Sequence, residues 1–134
     1  MKKIISMIVI FTMILSMSAV SFAATVDQDY IVDTENSLVK ILTSEGWDYI
    51  ASEYNTYKNY TVEVLADIEA TKQFVQFYGT LVGKLNGVEG KKPTITNNIN
   101  SGLISTLATG TVKDLIIAGS ITVEEGSYCG SLVD

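Results

Sequence analysis

From Thr61 to Leu85 the apolar residues Val64, Leu65, Ile68, Phe74, Val75, Tyr78, Leu81, Val82 and Leu85 mostly recur three or four apart. That spacing predicts an amphipathic helix with one buried face. Glu63, Asp67, Glu69, Lys72 and Lys84 fill the opposite face, where charge stays hydrated, and Gly87 stands just past the end as a left-handed cap. A helix of this length sets the architecture. The remaining segments have to pack on its stripe, with Ile68 and Leu81 in the core and Glu69 in water.

The start of the chain reads as an export signal. Lys2 and Lys3 precede an apolar run from Ile4 to Val20, and Ser21-Phe22-Ala23 supplies small residues at the spacing of a cleavage site. The expectation is a bacterial secreted protein cut after Ala23. Residues 24–134 then carry seven lysines against fifteen acidic residues, a formal charge of −8, with no arginine and no histidine. Such a chain repels phosphate backbones and lacks the guanidinium fork that grips them, so nucleic acid is not an expected partner. About 111 residues suffice for one domain with a modest core. Cys129, the only cysteine, has no internal partner; in an oxidising compartment its sharper reading is an intermolecular disulfide.

Residues 24–33 contain Asp27, Asp29 and Asp33, but Ile31, Val32 and Leu38 stand where a calcium loop needs a further oxygen ligand, glycine and glutamate. They are read as a solvated acidic leader. Asp33 or Thr34 is expected to cap a helix carrying Leu38, Ile41 and Leu42, bent or interrupted at Gly46 and resumed through Trp47, Ile50, Tyr54 and Tyr57. Gly87, Gly90, Lys91, Lys92 and Pro93 mark the clearest break, an inter-helix loop with a dibasic pair. Beyond it Ile95, Ile99, Leu103 and Leu107 form a second helical stripe, and Thr111 with Asp114 resembles a capping box for a short helix ending at Gly119. Ile121 and Val123 alternate with Thr122 and Glu124 as a brief strand, with Thr94-Ile95-Thr96 as its nearest partner in a minor hairpin.

The fold expected from these elements is all-α, a small bundle of about four helices. It would occupy residues 34–134, with a flexible tail from about residue 120. The most distinctive composition is aromatic: Trp47, Tyr49, Tyr54, Tyr57 and Tyr60 fall within fourteen residues. Such side chains suit a protein or glycan contact surface, and their helical spacing equally suits packing against the core. With no histidine and one cysteine, zinc, copper and haem ligand sets and Ser-His or Cys-His nucleophile pairs are not available, and no phosphate-cradling glycine loop is present. Glu45, Asp48, Glu63 and Asp67 leave only paired carboxylates as a formal catalytic set. No enzyme activity, metal or cofactor is expected. The function expected is that of a secreted binding protein; the alternative is a membrane-acting, bacteriocin-like toxin that inserts residues 99–123, where Lys113 and Asp114 are adjacent charges.

Overall fold

The computed structural model describes residues 24–26, 29–122 and 130–133. The predicted export signal, Asp27 and Cys129 lie outside them. Strands dominate what is described, so the all-α bundle is corrected to a β-rich fold. Strands β1 (Ala24–Val26), β2 (Tyr30–Asp33) and β3 (Leu38–Ile41) form an antiparallel meander where the sequence suggested an acidic leader and a first helix. Asp33 does not cap a helix. Its carboxylate accepts the backbone and side-chain N–H groups of Asn36 and so closes the β2–β3 turn, with Ser37 at φ 50°.

Two helices follow, α1 (Ser44–Ser52) and α2 (Tyr54–Tyr57), and the chain then winds into stacked rungs. The predicted central helix is four short strands: β4 (Thr61–Val64), β5 (Ile68–Ala70), β6 (Phe74–Phe77) and β7 (Thr80–Gly83). The next circuit adds β8 (Thr94–Asn97), β9 (Ile104–Leu107), β10 (Thr111–Lys113) and β11 (Ile116–Gly119). Each strand pairs in parallel with the one at the same place in the neighbouring rung. Sheet A runs β1-β2-β3-β4-β7-β10, sheet B holds β5-β8-β11, and sheet C holds β6-β9. Val133 joins sheet C through a parallel bridge to Ile104. The C-terminal part read as a tail thus includes a paired segment at 130–133. This is a three-faced β-solenoid in which a single rung has no core of its own and stacking creates one.

In-register stacking builds the core in columns. Val39, Val62, Leu81 and Val112 stand in line across sheet A, Ile68, Ile95 and Ile117 across sheet B, and Phe74 lies beside Ile104 in sheet C. Within β4 the period of two sends Val62 and Val64 inward and Thr61 outward. Ile68 and Leu81 are buried and Glu69 exposed, as the helix reading also required, but Val75 from the same predicted stripe is 45% exposed. Glycine permits close rung contact. A Cβ on Gly79 would lie 2.0 Å from Tyr60 O, and one on Gly83 would lie 1.9 Å from Asp114 O. Gly46 likewise marks no bend: it sits in the first turn of α1, where a Cβ would lie 2.1 Å from Asp29 O.

Two further helix expectations fail in the same way. The stripe Ile95, Ile99, Leu103 and Leu107 is no helix but strands β8 and β9 with a loop between them, and the short helix from Thr111 to Gly119 is strands β10 and β11. Thr94 to Thr96, named only as the partner of a minor hairpin, is part of a strand whose partners are β5 and β11 in parallel. Asn97 locks this corner. At 2% exposure, its Nδ2 donates to Ser101 O at 2.6 Å and Ser131 O at 3.2 Å, and its Oδ1 accepts Ile99 N–H at 2.9 Å, so both polar atoms of the buried amide are satisfied, by the turn after β8 and by the 130–133 segment. Among the described residues no helix is long and apolar enough to cross a membrane. The stretch read as an inserting segment is spread over β9, β10 and β11 in three different sheets.

Candidate binding surface

The aromatic segment folds as the lid on the first rung, and the lid sorts its rings. Thr43 caps α1 by accepting Gly46 N–H at 3.2 Å, and its own hydroxyl donates to Asp29 Oδ1 at 2.8 Å. That fixes which way the helix faces. Trp47 is fully buried, edge-on to Phe74 with centroids 5.2 Å apart, and its Nε1–H donates to Lys72 O at 2.9 Å. The indole is therefore part of the core and has no outer face for a ligand.

Side chains of α1 also satisfy the edge of sheet B. Ser44 Oγ accepts Glu69 N–H at 2.8 Å, and Asp48 Oδ1 accepts Thr71 N–H and Lys72 N–H, each at 2.9 Å. Asp48 Oδ2 takes the Thr71 hydroxyl. After α2, Lys58 O accepts Tyr78 N–H and Gly79 N–H beside sheet C. These bonds replace the ladder that a preceding rung would have provided.

The tyrosines sit at the rim of this closure, Tyr30, Tyr57 and Tyr60 half-buried and packed against the core and Tyr49 exposed. Tyr49, 45% exposed, stacks on Tyr30 with centroids 4.8 Å apart and planes 8° from parallel. Tyr57 and Tyr60 meet edge-on at 5.3 Å. Burial, and then the neighbouring Tyr49 and Tyr60 phenols and Glu53, push the Tyr57 hydroxyl above the usual tyrosine range. Tyr54 is half-buried against the core, and Lys58 Nζ stands 6.0 Å from the centre of the Tyr78 ring. The sequence expectation missed Tyr30, which is brought in only by the β2–β3 pairing.

The carboxylates considered as an acid pair are separated into structural tasks. Asp48 holds the β5 edge, Asp67 Oδ1 accepts Thr94 N–H at 2.7 Å, and Glu63 bonds Lys84 at 2.5 Å. That bond holds the Lys84 ammonium above the usual lysine value. Glu45 is exposed. Asp29 and Asp33 are similarly engaged, and among the described residues no group of three or more histidine, cysteine or acidic side chains is placed to hold a metal. Ser44, Asp67, Ile68, Glu69 and Thr96 line a shallow, open depression of about 310 Å³ beside α1. Comparison with protein-family models, with curated proteins and with solved structures finds no match to this chain.

Proposed function

We propose that this chain is a secreted, non-enzymatic binding protein that engages a protein or glycan through the tyrosine surface on its capped end. The single observation behind this reading is the Tyr30–Tyr49 stack together with the Tyr57–Tyr60 pair, four phenols packed on one another that keep part of their surface in solvent. Flat rings with a polar tip bind sugars and protein surfaces at low entropic cost, because few torsions have to be frozen. Secretion rests on the residues before Ala24. The non-enzymatic part rests on the absence of histidine and on carboxylates already committed to backbone and lysine partners.

The test is binding of the secreted chain to a glycan array and to proteins of the producing cell's surroundings, repeated with a Tyr49→Ala, Tyr57→Ala variant. Binding that is lost while the melting temperature stays within a few degrees supports the reading; binding that survives both substitutions contradicts it. Trp47 is excluded from that variant because its removal would open the core. The membrane-inserting alternative requires the last rung to leave the solenoid, which forfeits the pairing of β9, β10 and β11 with their neighbours.

A further inference from the structure

The turn that follows β7 carries the chain's one asparagine-glycine step, Asn86-Gly87. Asn86 stands at φ 56° and ψ 26° and Gly87 at φ 76°, and Val88 N–H donates to Leu85 O at 3.2 Å, which is a type I′ turn. Residues 86–92 are all exposed, so opening this turn uncovers no core. No neighbouring atom crowds Gly87: a Cβ placed there would meet nothing within 4 Å. The Asn86 side-chain amide has no partner among the described residues. The other asparagines differ. Asn36 Nδ2 donates to Asp33 Oδ2 at 2.7 Å, Asn97 is buried, Asn98 Nδ2 reaches Glu69 Oε2 at 3.4 Å, and Asn100 Oδ1 accepts Thr122 N–H at 2.8 Å. Asn55 and Asn59 are exposed, but Thr56 and Tyr60 follow them, and a side chain on the next residue shields its nitrogen.

We propose that Asn86-Gly87 is a site of spontaneous covalent modification, at which the Gly87 nitrogen attacks the Asn86 side-chain carbonyl and the asparagine becomes aspartate and β-linked aspartate. The nitrogen lone pair forms a bond to Asn86 Cγ, and Nδ2 leaves as ammonia, taking up the Gly87 amide proton. A five-membered succinimide remains. Water then opens the ring. Its attack on Cγ restores the ordinary peptide bond beside an aspartate, whereas its attack on the main-chain carbonyl leaves the chain running through Cγ, longer by a methylene. In the closed turn Gly87 N–H donates to Lys84 O at 2.7 Å, so the reaction passes through the opened turn. Either product adds a negative charge two residues from Lys84, the partner of Glu63.

Prolonged incubation of the folded chain in mildly alkaline buffer, followed by mass spectrometry of its proteolytic fragments, tests this. Conversion is expected at Asn86 ahead of every other asparagine, with a β-linked share that an isoaspartyl methyltransferase labels. The chain held in denaturant should convert faster at the same residue, because its turn is already open. Gly87→Ala should slow conversion roughly tenfold, since the added methyl shields the attacking nitrogen; measuring it in denaturant as well removes any contribution from a loosened turn. A folded chain that keeps Asn86 intact while the denatured chain converts fully overturns the proposal. So does earlier conversion at Asn36 or Asn100 in the folded chain, or a rate in denaturant indifferent to Gly87→Ala.

Discussion

Along the column Ile68, Ile95, Ile117 one residue type holds the same inward position in three rungs, yet the first two are 3% and 0% exposed and the third only half-buried. The difference comes from what lies beyond each end. Before β5 stands α1, which inserts Trp47 against Phe74 and covers the strand edge with Ser44 and Asp48. Beyond β11 the described residues offer no equivalent. A solenoid needs its terminal rung finished by something that is not another rung, and one helix with three well-placed side chains does so here.

The contrast can be broken from the capped end first. Trp47→Ala should cost about 3–5 kcal/mol in a denaturant melt, through lost burial and the cavity left beside Phe74. Ile95→Ala should cost about 2–5 kcal/mol, whereas Ile117→Ala, in the same column but half-buried, should cost less than half as much as Ile95→Ala. Equal losses at positions 95 and 117 would mean the two rungs are equally enclosed. Asp48→Ala comes next, at about 1–2 kcal/mol, because it strands the Thr71 and Lys72 amides at a partly hydrated edge. Glu69→Ala, outward on β5, should change stability by less than about 0.5 kcal/mol.

The alkaline limit sharpens the same picture. Lys84 and Tyr57 both have pKa values raised in the fold, above the ordinary 10.5 and 10.0. The unfolded chain therefore releases these protons first. Their stabilisation is complete below those values and is lost as pH climbs through the higher folded-state ones. Melting temperature measured from pH 8 upward should fall above about pH 10, and Lys84→Met together with Tyr57→Phe should flatten the decline.

Much of the inward and outward patterning was legible, and its period was misread. Strands of three or four residues joined by short corners place inward side chains at 62, 64, 68, 70, 74, 77 and 81, a spacing that overlaps the three-or-four rhythm of a helix. The β-branched and aromatic residues of Thr61 to Phe77, and two glycines at 79 and 83 that a helix would tolerate at about 1 kcal/mol each, favoured strands. A further sign was Gly79-Thr80-Leu81 returning as Gly110-Thr111-Val112. The rungs stack these triplets in register, but loops at 84–93 and 98–103 make the circuits unequal and hide the repeat. The aromatic cluster was legible as a group. What composition does not encode is its division into one buried indole, one exposed Tyr49 and half-buried phenols at the rim; for Trp47 and Tyr49 that depends on how Thr43 and Asp29 orient α1.

The stacking itself is best tested by nuclear Overhauser contacts between backbone protons in residues 24–134. The solenoid predicts parallel inter-strand contacts linking Val62 to Leu81 and Leu81 to Val112, with Ile68 to Ile95 on the second face. Contacts three residues apart running unbroken from Thr61 to Leu85, with none between those strands, would restore the helix and contradict the account.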